Sequence, residues 1–345
     1  AITMISISSV LLASLLFSQA SSLSTIARTY RTSSSPRRTA TINTASVRRP
    51  LLPPFPDGNC GGKVITLHPQ ETYGIDAKLN GNQLLLPPRP IDVWLPPDYS
   101  IDVEHPVLIC HDGQNAMSDA SSWTGASWRM IGALTRLADR GLLRTATPIV
   151  VMLPSAEGDL VPGLRRRHLE YAADGIFAEA HADFIVNTVK PLIENRFSTA
   201  PGEVHTIGSS LGGQASLQLL LRYPTEFAGA ACLSPYFEPT TLASTVTNAK
   251  VLKSKRLYMD MGGDMGEKKV PVFDLMDHLT TEHWWNPGYW WLDSQLQPGV
   301  EAMKTALSMA GIDFMYHQEP GGRHNERAWA QRIDLPLLHL FGKQY

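Results

Sequence analysis

Short apolar runs alternate with helix-like segments from residue 90 to the C-terminus, and this alternation limits the possible folds most strongly. The runs are almost continuously hydrophobic, which is typical of strands buried on both faces of a parallel sheet. They are IDVWL (91–95), PVLIC (106–110), PIVVML (148–153), EVHTIG (203–208), GAACLS (229–234), RLYMDMG (256–262) and IDFMYHQ (312–318). The intervening segments have the i, i+3, i+4 spacing of amphipathic helices, most clearly over residues 175–197, 211–224 and 299–311. The pattern predicts an α/β fold with a mostly parallel central sheet and helices on both faces.

The first fifty residues differ in composition from the rest and predict a targeting segment that we expect to be disordered. They contain six arginines and no Asp or Glu, and they include the apolar stretch MISISSVLLASLLFSQASS. That stretch is too short and too rich in serine for a stable membrane span, but it is typical of a secretory signal. The Ser-, Thr- and Arg-rich part behind it resembles an organelle transit peptide. Two interpretations remain: entry into the secretory pathway with onward transport to a plastid, or a plain secretory signal followed by a basic linker.

Composition also limits the domains and the partners. Residues 51–89 read as a short N-terminal extension with one or two edge strands, and residues 90–345 as one α/β catalytic domain. Without residues 1–50 the 30 basic side chains fall to 24 against 32 acidic ones, a net charge of −8. An acidic protein is not expected to bind nucleic acid. The three cysteines have neither disulfide nor zinc spacing, and no cofactor-binding motif is present, so neither a metal nor a cofactor is predicted.

The segment HTIGSSLGGQAS (205–216) carries the strongest catalytic signal. Gly208-Ser209-Ser210-Leu211-Gly212 matches G-x-S-x-G between a predicted strand and a predicted helix, the context of a nucleophile elbow. A Cβ atom at Gly208 or Gly212 would crowd the neighbouring strand or helix. The bend would expose Ser210 at a helix N-terminus, where developing negative charge is favoured, and turn Ser209 away. We therefore predict Ser210 as a nucleophile, the alternative being an ordinary flexible turn.

A serine nucleophile needs a general base, and the base needs a carboxylate partner. His324 lies in a glycine-flanked loop after the last predicted strand, where the order Ser…acid…His places the base; His317, inside that strand, is the alternative. The acid is expected just after RLYMDMG, at Asp264 or, as the alternative, at Glu267. Asp260 lies inside the strand, where a buried carboxylate would need partners of its own.

Five ordered motifs, VWLPPDY, HDGQNAM, WTGASWRM, IGSSLGG and GGRHNERAW, resemble the esterase D and enterochelin-esterase-like esterases of the α/β-hydrolase superfamily. The resemblance runs from about residue 90 to the C-terminus. It implies an α/β-hydrolase fold and a serine esterase with Ser210 as nucleophile and His324 as base. Family members often carry the acid in Gly-Thr-x-Asp/Glu, whereas this chain reads Gly-Gly-Asp-Met-Gly-Glu, so both Asp264 and Glu267 stay open.

The resemblance also implies an oxyanion hole. In such a fold the loop after an early core strand supplies one half of the hole, and the residue after the nucleophile supplies the other. The backbone N–H groups of Leu211 and of Gly113 or Gln114 would then bind the tetrahedral intermediate. His111 and Asp112 would brace this loop rather than react.

Two further segments suggest a substrate site. In GLRRRHLEY (163–171), Arg167 is the candidate for binding an acidic substrate group. In HWWNPGYWW (283–291), Trp284, Trp285 and Tyr289 are candidates for a lid or a stacking platform, with packing against the core as the alternative.

The function predicted is a serine carboxylester hydrolase acting on a small-molecule ester that carries a sugar or aromatic acyl group. The alternatives are acyl transfer to a sugar or another alcohol, and a non-catalytic carbohydrate-binding protein.

Overall fold

The computed structural model of the protein describes residues 55–72, 86–161, 164–262, 287–319, 322 and 324–343. Several predictions fall outside these residues. They concern the presequence (1–50), the candidate acids Asp264 and Glu267, and the aromatic residues Trp284 and Trp285. Tyr289 lies in a described helix, but its side chain is outside the description.

Eight strands of the described residues form one sheet, and two more form a small antiparallel hairpin. The strands are β1 (Lys63–Leu67), β2 (Ile91–Leu95), β3 (His105–His111), β4 (Ile149–Leu153), β5 (Asp159–Val161), β6 (Leu164–Arg165), β7 (Thr199–Ser209), β8 (Gly229–Leu233), β9 (Arg256–Gly262) and β10 (Met315–Glu319). The order in the sheet is β1-β2-β4-β3-β7-β8-β9-β10, and β5 pairs with β6. β2 pairs antiparallel with β1 and with β4, whereas all pairs from β4 to β10 are parallel. The predicted mostly parallel sheet is confirmed.

Helices connect the parallel strands. They are α1 (Pro69–Thr72), α2 (Met130–Asp139), α3 (Arg166–Tyr171), α4 (Ala178–Phe184), α5 (Lys190–Arg196), α6 (Leu211–Arg222), α7 (Pro239–Thr247), α8 (Ala249–Leu252), α9 (Pro287–Met309), α10 (Glu326–Ala330) and α11 (Asp334–Phe341). A π-helical turn (Ile185–Val189) joins α4 to α5, and a 3₁₀ turn (Gly113–Asn115) follows β3. α9 begins well before residue 299, where the sequence predicted its start, because it continues through Pro298. In the described part of the chain, no helix is long and apolar enough to span a membrane.

The core has two parts, one on each face of the sheet. Alternate residues of β3 belong to different parts: Val107 and Ile109 to the first, Leu108 and Cys110 to the second. This is the period of two that a strand buried on both faces requires. The first part packs against α4, α6 and α9, and the second against α2 and α11. Helices therefore cover both faces, as predicted.

The topology brings the candidate site residues to one edge of the sheet. Because β3, β7, β8, β9 and β10 run parallel, their carboxyl ends lie at the same edge, where α/β folds bind ligands. The 3₁₀ turn follows β3, Ser210 follows β7, and His324 follows β10. The chain that contains the candidate acids leaves the same edge from the end of β9.

Candidate active site

Ser210 occupies the sharp bend between β7 and α6. Its backbone has φ 56° and ψ −123°, a positive-φ conformation that costs a non-glycine residue free energy. Two hydrogen bonds fix the bend: the Ser210 N–H donates to the Leu233 carbonyl at 2.8 Å, and the Tyr236 N–H donates to the Ser210 carbonyl at 3.1 Å. Ser210 keeps part of its surface exposed, whereas Ser209 is buried. The serine predicted as nucleophile is therefore the strained residue of the pair.

The glycines beside Ser210 allow contacts that no other residue would permit. A Cβ atom on Gly208 would overlap the backbone of Gly212 at the start of α6. A Cβ atom on Gly212 would lie 2.8 Å from the Oδ2 atom of Asp112, which is inside normal contact distance. The bend is thus as crowded as the sequence predicts. For Gly212, however, the crowding group belongs to the loop after β3 rather than to a strand or helix.

The loop after β3, residues 112–115, will be called the oxyanion loop. Gly113 packs so tightly on the backbone of β4 that it leaves no room for a side chain. The Gln114 carboxamide makes two hydrogen bonds with Ser155, donating to its Oγ at 3.0 Å and accepting from its N–H at 3.1 Å. No described residue accepts a hydrogen bond from the backbone N–H of Gly113, Gln114 or Leu211. Unpaired N–H groups at a turn and at a helix N-terminus can bind an anion.

Asp112 and Arg167 form a buried ion pair beneath the oxyanion loop. The guanidinium donates from Nε at 2.7 Å and from a terminal nitrogen at 2.6 Å to the two carboxylate oxygens. Asp112 itself has φ 55° and ψ 41°, and its N–H donates to the Tyr171 hydroxyl at 3.2 Å. Burial opposes the charge on Arg167, but the Asp112 carboxylate outweighs it and raises the pKa of Arg167. Arg167 is the residue predicted to bind an acidic substrate group; in the structure its guanidinium is bonded to Asp112 and braces the loop.

His111 lies directly below this pair. Its Nδ1 atom is 3.0 Å from Ser216 Oγ, and its ring packs edge-on against Tyr171 with centroids 5.3 Å apart. Burial lowers the pKa of His111 to about 4, and burial likewise lowers the pKa of the adjacent His181. Both rings are therefore neutral at pH 7, and His111 supports the loop as a packed, uncharged group.

His324 is buried between β10 and α10. Residues 320–325, which join these two elements, will be called the histidine loop. Its ring packs at 76° against the Trp329 indole, with centroids 5.1 Å apart. Trp329 Nε1 in turn donates to the Ser234 hydroxyl at 3.1 Å, and Ser234 follows the residue whose carbonyl binds the Ser210 N–H. A short series of contacts thus links the histidine loop to the elbow.

The histidine loop also packs against the end of β9. A Cβ atom on Gly322 would lie 3.1 Å from the Cα atom of Gly262, the last residue of β9. The chain that carries the candidate acids therefore starts beside this loop. The alternative base, His317, lies within β10 with its Nε2 atom 2.6 Å from Glu319 Oε2.

Asp260 is fully buried and has partners of its own. Its carboxylate accepts hydrogen bonds from Arg332 at 3.0 Å, from the Ser234 N–H at 2.9 Å and from the Tyr258 hydroxyl at 3.2 Å. Burial opposes the charge on Arg332, but Asp260 outweighs it and raises the pKa of Arg332. Nothing in the sequence indicated Arg332 as the partner.

Sequence reasoning also missed Glu326, two residues after His324. Its buried carboxylate accepts hydrogen bonds from Thr124 Oγ1 at 3.0 Å and Trp123 Nε1 at 3.3 Å, and it lies 3.5 Å from Asn115 Nδ2. Glu326 thereby joins the histidine loop to the oxyanion loop and to the turn at Trp123. Trp123 and Thr124 lie in the motif WTGASWRM, Glu326 in GGRHNERAW and Asn115 in HDGQNAM, but the sequence gave no sign that these motifs touch.

Metal-binding groups were also considered. Across the ranges that the structure describes, no group of three or more His, Cys, Asp or Glu side chains could hold a metal ion.

Comparison with known proteins adds a family and a set of similar folds. A family model described as "Putative esterase" matches residues 85–336. A Bacillus subtilis protein with the name "Uncharacterized protein YjcH" is 27% identical over 195 residues, which cover 56% of this chain and 72% of that protein.

Two solved structures with similar folds are the BES protein of Bacillus cereus and the enterobactin esterase FES of Shigella flexneri. The BES protein gives a TM-score of 0.54 at 15% identity, covering 87% of this chain and 100% of that chain. FES gives a TM-score of 0.52 at 15% identity, covering 81% of this chain. The chain spans only 59% of the length of FES. At this level of identity, these similarities show the fold alone.

Proposed function

The chain belongs to the esterase family whose model spans residues 85–336, and from this membership we propose that it is a serine carboxylester hydrolase. The observation that carries the proposal is the conformation of Ser210. A non-glycine residue with positive φ at a helix N-terminus, fixed by hydrogen bonds and surrounded by glycines, is a strained arrangement that a plain turn does not need. A nucleophile elbow does need it.

The proposed reaction has two halves. In the first, the Ser210 hydroxyl attacks the acyl carbonyl while His324 takes its proton, and the C–O bond breaks as His324 passes that proton to the leaving alcohol. In the second, water attacks the acyl-enzyme with His324 again as base, which releases the acid and restores Ser210. The backbone N–H groups of Leu211 and of Gly113 or Gln114 would stabilise the oxyanion in both halves.

A carboxylate would orient His324 and stabilise its imidazolium. We propose Asp264 for this role, with Glu267 as the alternative. Support comes from the described residues nearby: Asp260 is already bound to Arg332, and the histidine loop packs against Gly262 at the end of β9.

The proposed substrate is a small-molecule ester with a sugar or aromatic acyl group. The similar fold in Shigella flexneri is named an enterobactin esterase, which supports an ester substrate. Acyl transfer to an alcohol would use the same acyl-enzyme, and the ratio of hydrolysis to transfer with an added alcohol measures it.

The test of the proposal compares Ser210→Ala with Ser209→Ala, on p-nitrophenyl acetate and with a fluorophosphonate probe. Ser210→Ala should lower kcat by at least about 10⁴-fold and abolish probe labelling, because it removes the nucleophile. Its thermal unfolding should stay unchanged. Ser209→Ala should stay within about tenfold of the parent, a barrier change near 1.4 kcal/mol.

The same assay separates the two candidate acids. Asp264→Asn should cost about 10³-fold or more in kcat and Glu267→Gln less than about tenfold; the reverse order would make Glu267 the acid.

Equal residual activity in the two serine variants, Ser210→Ala and Ser209→Ala, would contradict the assignment of Ser210.

A further inference from the structure

Trp123 is a half-exposed tryptophan that the proposed reaction does not use. About 50% of its surface is exposed, yet its ring is held in place from several sides. Its Nε1–H donates to the buried Glu326 carboxylate at 3.3 Å, and its backbone N–H donates to Asn115 Oδ1 at 3.4 Å. The Arg167 guanidinium lies 5.6 Å from the ring centroid, within the range of a cation–π contact. A large, mostly carbon surface is therefore exposed to solvent, and one hydrogen bond and one cation–π contact restrict the orientation of the ring.

These contacts connect Trp123 to the loops that carry the candidate active site. Asn115 belongs to the oxyanion loop, and Glu326 lies two residues after His324. Arg167, the third partner, is bonded to Asp112, which approaches Gly212 in the elbow. The contacts of Trp123 thus connect it to the oxyanion loop, to the segment that follows His324 and, through Arg167 and Asp112, to the elbow.

The chemistry of the exposed surface indicates what it can bind. The single polar atom of the indole, Nε1, already donates to Glu326, so the exposed remainder of the ring consists of carbon. Such a surface offers stacking and apolar contact but no hydrogen bond for a sugar hydroxyl. A planar aromatic ring is the group that gains most from it.

We propose that Trp123 is a stacking platform that gives the enzyme a preference for esters carrying an aromatic ring. The proposal rests on the proposed function, because the ring must belong to an ester bound near Ser210. It assigns that preference to one residue.

The test uses methyl butyrate, which has no ring, and methyl 3-phenylpropanoate, which has a ring on its acyl side. Acid release is followed by pH-stat titration for the parent, Trp123→Leu and Trp123→Phe. We expect Trp123→Leu to lower kcat/KM for the phenyl ester by about tenfold or more, mainly through KM. Any loss in kcat/KM for methyl butyrate, which reports the broken hydrogen bond to Glu326, should be clearly smaller than the loss for the phenyl ester.

Trp123→Phe is the matched control. Both substitutions remove the hydrogen bond to Glu326, but phenylalanine keeps an aromatic face, so it should restore most of the preference for the phenyl ester. Equal losses on both esters, in both variants, would overturn the proposal, because Trp123 would then act only by positioning the loops. An unchanged preference in Trp123→Leu would overturn it as well.

A binding measurement separates this inference from the proposed function. Ser210→Ala and Ser210→Ala/Trp123→Leu are titrated with the two intact esters by calorimetry. Weaker binding of the phenyl ester alone in the double variant supports the platform even if the parent hydrolyses neither ester. Identical binding in the two proteins overturns it.

Discussion

Two aspartate–arginine pairs are buried at the carboxyl edge of the sheet, and they differ in what surrounds them. Asp112 and Arg167 join a strained loop to a helix, and the guanidinium also contacts the exposed ring of Trp123. Asp260 and Arg332 join β9 to the segment after α10, and neither side chain has any exposed surface. The same two residue types thus hold the oxyanion loop, whose N–H groups at Gly113 and Gln114 have no acceptor among the described residues, in one place and connect core elements in the other. We expect the first pair to matter for turnover as well as for stability, and the second mainly for stability.

The largest effect is expected from Arg332→Met. The substitution leaves the Asp260 carboxylate buried without its positive partner, and breaking a buried pair in this way typically costs about 3–5 kcal/mol of unfolding free energy. Urea titration at pH 7 measures the loss. Turnover of methyl butyrate by the folded protein should stay within about tenfold of the parent.

Arg144→Met is the control for this prediction. Arg144 pairs with Glu203 at 2.7 Å, but both side chains are partly exposed, so the loss should be about 1 kcal/mol or less. If the two variants lost the same free energy, burial would not be what makes the Asp260 pair important.

Arg167→Met is expected to have a smaller effect, and the quantity to measure is kcat. Without the guanidinium, Asp112 is free to leave its strained conformation, and the oxyanion loop moves with it. Losing one aligned donor to an oxyanion costs about 10²-fold in kcat, or about 2.7 kcal/mol of barrier. Methyl butyrate is the right substrate, because it excludes any effect of stacking on Trp123. A variant with normal kcat and reduced stability would show that both pairs serve the core alike.

The smallest effect is expected on the unfolding free energy when the pH falls from 7 to 5. It should arise at His111, which precedes Asp112 in the chain. The pKa of His111 is lowered to about 4 in the folded protein, mainly by burial. In the unfolded chain the pKa of His111 is near 6.5, so below that pH the unfolded chain binds this proton more readily than the folded protein does. The stabilisation by neutral His111 is complete above pH 6.5 and is lost as the pH falls towards 4. Between pH 7 and pH 5, the unfolding free energy should drop by about 2 kcal/mol from this group.

Urea titrations at pH 7, 6 and 5 measure this slope. His111→Gln should lower the slope by the share of this group, and the slope that remains should come from other buried histidines such as His181, whose pKa burial also lowers. An unchanged slope in His111→Gln would place the acid sensitivity elsewhere in the molecule.

Much of the fold could be predicted because it depends on local patterns. β2 and β9 have the predicted bounds, and the other central strands overlap their predicted runs. Continuous hydrophobicity between turn residues marks a doubly buried strand without knowledge of its neighbours. The start of α9 was wrong for the opposite reason. Pro298 is a local signal for a helix boundary, but the helix passes through it.

In the candidate site, too, the residues with a local sequence signal could be predicted and the long-range contacts could not. Ser210 could be found because strand, glycines, serine and helix follow one another within a few residues. The partners Arg167 and Asp112 are 55 residues apart, and Arg332 and Asp260 are 72 apart. Such pairs exist only once the sheet has brought the loops together, so no local pattern reports them. The same holds for Trp123 and Glu326, which are separated by 203 residues.

The absent side chain of Gly212 has a consequence for the tolerance of the site. The two halves of the proposed oxyanion hole come from distant parts of the chain, yet Asp112 approaches Gly212 so closely that a methyl group at Gly212 would stand 2.8 Å from the Asp112 Oδ2 atom. The spacing between the donors is therefore limited by a single missing carbon atom. Any residue other than glycine would bring its Cβ atom inside normal contact distance of this oxygen, so Asp112 or α6 would have to shift. Aligned donors stabilise an oxyanion much less after such shifts. The residue at position 212 therefore determines how well the proposed donors are aligned.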